Sequence, residues 1–347
     1  MKLIRMLALA LAFGANAACE LVVAGGQSVT VGDDAAFIGT SGNRMTPARP
    51  AGSVQPTGQL IVDAAQFTGG GFLAMPSTGP SPIANGAGAP GILAAGADLQ
   101  LRNGARLVGG GAQAPTGNVP TYSGGPGLAA IEATVTMRAG ARATGGRIQL
   151  QEGATPALAV SIVPGPGMVL SRSILAMTGG RIRAAEFPTG LVDPIPVNVN
   201  DLLANGSTVA ITGGNLRGIF TSGSLVRISG GLVGRVLQVP SSTFPPLALN
   251  PALAAFLPLS GCTEIRGGQV NEIVVNGDRV LLVGSGFNRP LGDVPLNGRT
   301  PVVVTGTLAN GDPLSVSITN PLPATPNSPI RVTLARPGTD SCDSVLP

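Results

Sequence analysis

Histidine and tryptophan are absent from the 347 residues, and there is one tyrosine. Without histidine, Ser-His-Asp and Cys-His catalysis and histidine-ligated zinc are excluded. The three cysteines, Cys19, Cys262 and Cys342, are too scattered to make a zinc cluster. An aromatic content of 3% leaves no stacking platform for nucleic acid, so no nucleic-acid partner is expected. It also implies a thin core built from Val, Ile, Leu and Ala. Charged residues make up only 11% of the chain, and of the 21 basic residues Lys2 is the one lysine. Glycine (52) and proline (31) are plentiful, yet hydrophobic residues reach 44%, the opposite of a disordered composition.

What is present is a repeat. A shift of 17 residues superposes Val209 on Val226, Ile211 on Ile228, Gly213-Gly214 on Gly230-Gly231, Leu216 on Val233 and Ile219 on Val236. Alternation of apolar with small or polar residues is the period of a strand with one buried face. The paired glycines allow a turn and close approach of successive layers. β-branched residues and glycine pairs both disfavour a helix. Short-period self-similarity of this kind marks a solenoid whose units bury their apolar faces only by stacking. Weaker copies stand at Leu21–Gly26, Leu175–Ile182 and Thr263–Val270, with degraded ones at Leu99–Leu101, Val135–Met137 and Thr144–Ile148.

Residues 1–17 have the pattern of a secretory signal: Lys2 and Arg5, an apolar run from Met6 to Phe13, then Ala15-Asn16-Ala17. The run is too short to span a bilayer, so no transmembrane span is expected once the signal is removed. The chain is therefore expected to be secreted, periplasmic or at the cell surface. Export permits disulfides. The sequence favours a Cys262–Cys342 bridge, with two unpaired buried cysteines as the alternative and Cys19 as a candidate for lipidation. Pro/Gly clusters at 76–91, 114–127, 188–196 and 240–258 read as lateral loops of unequal length. Within the last, Asn250–Leu257 carries the signals of a short helix.

The C-terminal part changes character. Asp278–Gly286 reads as a strand, Thr300–Leu308 and Leu314–Ile318 as a hairpin turning at Asn310-Gly311, and Ile330–Leu334 as a further strand. The expected organisation is a signal over 1–17, a solenoid over 18–286, and a β-hairpin cap and tail over 287–347. The fold class is all-β: a right-handed parallel β-helix with Gly-Gly rungs and Pro/Gly-rich lateral loops.

The rungs at Ser224–Val233 and the closing Val304–Leu314 resemble bacterial secreted right-handed parallel β-helix proteins, the broad group of pectin-lyase-like and adhesin-like solenoids. That resemblance implies either a non-enzymatic structural or cell-surface interaction protein, or a carbohydrate-active enzyme, a polysaccharide lyase or hydrolase. An enzyme of that type would need converging acids, for which Glu264, Glu272, Asp278 and Asp293 are the candidates. The Asp193–Asp201 segment reads as a solvated polar loop, with calcium held by Asp193, Asn198, Asn200 and Asp201 as the lesser alternative. No cofactor and no catalytic residue is assigned. Arginine gives a different signal. Arg183 and Arg217 stand three residues after Gly-Gly, and Arg147 and Arg181 directly after it. Rungs stacked about 4.8 Å apart would align such residues into a stripe, to which Arg227 and Arg266 are added. Such a stripe could hold an acidic polysaccharide by bidentate contacts.

Overall fold

The computed structural model describes residues 20–32, 34–43, 46–72, 86–114, 122–150, 162–186, 200–239, 261–277, 279–296, 300–320, 331–338 and 341–342. The signal-like residues 1–17, Cys19 and the helix expected over 250–257 lie outside them. The fold is all-β, without an α-helix among the described residues, and most strands join one mixed 25-stranded sheet.

Three parallel columns build the trunk. The first runs through Leu21–Val23, Gly52–Val54, Ile92–Ala95, Leu128–Ile131, Met168–Ser171 and Leu202–Asn205. The second runs through Ser28–Val31, Gln59–Asp63, Asp98–Arg102, Thr134–Met137, Ile174–Met177 and Thr208–Ile211. The third comprises Ala36–Ile38, Gln66–Thr68, Arg106–Val108, Arg142–Thr144 and Arg181–Arg183. Later strands bend round the corners and serve more than one column: Asn215–Ser222, Leu225–Val239 and Cys262–Val275. The expected 17-residue superposition is found as hydrogen-bonded register, Val209 on Val226, Ile211 on Ile228, Leu216 on Val233 and Ile219 on Val236.

The alternation of the second column sends one set of side chains inward, and parallel register stacks like on like. Val62, Leu101, Met137, Met177, Ile211, Ile228, Ile265 and Leu282 form one continuous file, each at most 1% exposed. Burying each such side chain contributes roughly 1.5–3 kcal/mol, so the file is a main source of cohesion between rungs. At the first rungs Phe37 stacks on Phe67 with ring centroids 4.6 Å apart. The corner between the first and second columns carries a polar counterpart. Ser173, Ser207 and Ser224 are buried; each hydroxyl donates to the carbonyl two residues earlier. The same oxygens accept the amides of Ala133, Ser173 and Ser207 from the preceding rung. The three serine hydroxyls and the three amides that meet at that corner are thereby satisfied.

The early rungs are longer than 17 residues because an arm leaves after the third column and returns before the first. At the neck of these arms the outgoing and returning backbones touch. Ala89 N–H donates to Gly70 O (2.9 Å), Gly110 to Ala89 (2.7 Å), Gly125 to Gly110 (2.8 Å), Gly146 to Gly125 (2.7 Å) and Gly165 to Gly146 (3.1 Å). A Cβ on Gly110 would fall inside the carbonyl of Gly70, which is why the neck is glycine. The Gly-Gly pairs thus serve two purposes. Gly180, Gly214, Gly231 and Gly268 turn the chain with φ of 82–100°, whereas Gly145-Gly146 belongs to the neck.

The parallel stack continues past residue 286, where the cap was expected to begin. Pro313–Thr319 pairs parallel with Cys262–Val275, and Arg331–Ala335 pairs parallel with Arg279–Ser285. The antiparallel hairpin of Val302–Leu308 and Pro313–Thr319 matches its expected position, with Gly311 at φ 94° in the turn. Cys262 and Cys342 are bridged, with Cα atoms 5.9 Å apart across a separation of 80 residues. The bridge lies among Leu281, Val283 and Ala335, so it ties the tail to the second column.

Candidate functional site

The six arginines expected to make one stripe do not form one. Arg181 stands on Arg142, not on Arg147. Arg147 follows the neck glycines instead, where its carbonyl accepts the Ala112 amide at 3.0 Å. Gly145-Gly146 and Gly179-Gly180 look alike in sequence but occupy different places in the rung.

Arg183 and Arg217 are brought together by a carboxylate. Asp201 is fully buried, at the corner where Gly127 and Gly167 stand in earlier rungs. A Cβ on Gly167 would lie 2.6 Å from Ile182, so earlier rungs leave no room for a side chain there. The rung that follows Asp201 has no arm, and the missing arm leaves both space and orphaned donors. Asp201 fills that space and accepts the Ala184 amide (2.6 Å), the Arg217 amide, Arg183 Nη1 (3.1 Å) and Arg217 Nε (3.3 Å). Arg183 also donates to Asn215 O, and Arg217 to Ala184 O. Burial lowers the Arg183 pKa from its ordinary value, and the nearby Asp201 partly offsets this. Two guanidinium groups at Asp201 are incompatible with a calcium site there. Asp193 and Asn198 lie outside the described residues.

Arg227 and Arg266 are occupied in the same way by Glu264, which is 1% exposed. Glu264 also accepts the Cys342 amide at 3.4 Å, joining this ionic cluster to the disulfide. The remaining acids considered for catalysis are held apart. Glu272 pairs with Arg235 at 3.2 Å, and Asp293 accepts Thr333 Oγ1 at 2.8 Å. Asp278 lies outside the described residues, among which no three acidic or thiol side chains converge as a metal site would require.

A different row emerges from the register. Arg106, Arg142 and Arg181 occupy the first position of three successive third-column strands and are all exposed. The adjoining corner adds Arg138, whose amide donates to Leu101 O, and Arg102 beside it. In sequence the signal is a five-residue phrase written twice, Arg102-Asn-Gly-Ala-Arg106 and Arg138-Ala-Gly-Ala-Arg142. Reading only for Gly-Gly overlooks it. Gly104 and Gly140, at φ 93° and 81°, make the tight corner that sets both arginines of each phrase on one ridge. Among the described residues Arg106, Arg138, Arg142 and Arg181 make no ion pair, while Arg102 donates to Gln100. Asp63, one rung before Arg102, is engaged by the Asn103 amide at 2.9 Å. Comparison with known proteins finds no matching family model, no matching curated protein and no matching solved structure.

Proposed function

We propose that this chain is an exported, non-enzymatic right-handed parallel β-helix, similar in kind to adhesin-like and pectin-lyase-like solenoids, serving as a structural or cell-surface interaction scaffold. The observation that carries this reading is the use made of the two buried acids. Asp201 and Glu264 are saturated by arginines and backbone amides, so each acts as a key between rungs. A general acid or base must instead reach a substrate proton, and a glycosidase needs two carboxyl groups flanking one bond. Export follows from the signal-like residues 1–17 and agrees with the Cys262–Cys342 bridge, since such bonds persist in oxidising compartments.

The test is incubation of the mature protein with acidic and neutral polysaccharides, with and without calcium, followed by chain-length analysis of the polymer. Unchanged lengths are expected. Shortened chains or new unsaturated ends would overturn the scaffold reading and return attention to the acids between Glu264 and Asp293.

A further inference from the structure

We infer that the ridge formed by Arg102, Arg106, Arg138, Arg142 and Arg181 is a binding site for a linear acidic polysaccharide whose carboxylates repeat along the polymer. This rests on the scaffold reading and names its ligand class. Like charges directly opposite one another in neighbouring strands are destabilising, and here three guanidinium groups are stacked in register without an ion pair. The same chain neutralises other arginines with care, placing Asp201 between Arg183 and Arg217 and Glu264 between Arg227 and Arg266. Asp63 stands in register with Arg102, but no acid stands in register with Arg106, Arg142 or Arg181, and the counter-charge of that row is left to come from outside.

The geometry selects the ligand. Successive rungs are about 4.8 Å apart, so Arg106, Arg142 and Arg181 span about 10 Å. That exceeds one small anion but suits consecutive units of a polyuronate, in which each sugar carries one carboxylate and is comparable in length to one rung. The corner residues that face outward between the arginines are Asn103, Gly104, Ala139 and Gly140, which leave room for a polymer to lie flat. Guanidinium groups can take each carboxylate through two N–H donors. Nucleic acid fits less well, because no aromatic residue stands between these arginines to stack a base. Thr68 and Thr144 continue the third column beside the row and add hydroxyls of the kind that sugar oxygens accept.

The test uses end-labelled galacturonate oligomers of two to eight units, titrated by fluorescence anisotropy at low and high salt. Affinity is expected to rise with length until three rungs are spanned and then level off, and to weaken with salt. The triple variant Arg106→Ser, Arg142→Ser, Arg181→Ser is expected to lose about tenfold or more in affinity and most of the salt dependence. Because these side chains are exposed and repel one another, its thermal unfolding should come no earlier than that of the parent, and Arg331→Ser, away from the ridge, should bind normally. Equal binding by the triple variant, no binding by the parent with oligomers left intact, or tighter binding of length-matched single-stranded DNA would each overturn the ridge as a polyuronate site. Shortening of the oligomers would overturn the scaffold reading as well.

Discussion

Removing the Asp201 carboxylate should unlock the point where the arm-bearing rungs give way to the short ones. Asp201→Ala strands two backbone donors, the amides of Ala184 and Arg217, in a place the fold keeps dry. Each unsatisfied buried group costs about 1–3 kcal/mol. The two arginines lose their counter-charge, but their side chains are 22% and 47% exposed, so water recovers part of that loss. The total is therefore about 3–4 kcal/mol, at the low end of what breaking a fully buried pair costs. Asp201→Asn keeps one acceptor oxygen and should cost about 1 kcal/mol less. Stacked repeats need not unfold in one step, so the clearest assay is amide hydrogen exchange, supported by urea unfolding. Both the Ala184 and Arg217 amides should lose protection in Asp201→Ala and one of the two in Asp201→Asn, while the amides of Val226 and Ile228 stay protected. Unchanged exchange at Ala184 and Arg217, with a urea midpoint equal to that of the parent, would refute the role assigned to Asp201.

Three further outcomes are expected. Gly110→Ala forces a Cβ into the Gly70 carbonyl and should cost about 2–3 kcal/mol or more, whereas Gly104→Ala meets open space and should cost about 1–2 kcal/mol from its φ of 93° alone. The ratio of the two, read from thermal melts, separates neck crowding from turn strain. Reduction of Cys262–Cys342 opens a loop of 80 residues, and by loop entropy should remove at most about 4.5 kcal/mol, seen as a lower urea midpoint and faster exchange at Cys342. The Asp312 carboxylate accepts Asn310 Nδ2 at 2.6 Å and the Gly268 amide at 2.7 Å, which hold it below the usual carboxylate range. A depressed folded value means the stabilisation is present above the ordinary carboxylate pKa and is lost as pH falls through the folded one. Protection of the Gly268 amide should drop on acidification, and Asp312→Asn should abolish that pH dependence.

The parts of this fold that could be read from sequence are those where chain and rung coincide. Between Leu202 and Val239 each rung closes without an arm, so one shift aligned the strands in the register they adopt. The hairpin at Asn310-Gly311 was legible because its turn residues carry their own conformational requirement. Earlier rungs hid their register, since arms of unequal length intervene between equivalent strands. Glycine misled for a related reason: it answers two different needs, a turn with positive φ and a neck too narrow for a Cβ, and only stacking tells them apart. Asp201 reads in sequence as part of a solvated loop because Arg183 and Arg217, distant in sequence, reach it only after the rungs close. The ridge was written openly in the two Arg-x-Gly-Ala-Arg phrases, but their meaning depends on the parallel register that sets one above the other.

Both functional readings rest on that register, so the direct measurement is distance along the stack. Spin labels placed at position 28 and, in separate samples, at 174, 208 or 225 sit on the outward face of the second column or its continuation. By the register they are four, five and six rungs apart. Electron–electron dipolar spectroscopy should then give backbone separations of about 19, 24 and 29 Å. The two increments should be equal even though 34 and 17 residues of chain intervene. Increments that scale with the length of the intervening chain, or distances that fail to grow, would contradict the stack and the ridge built on it.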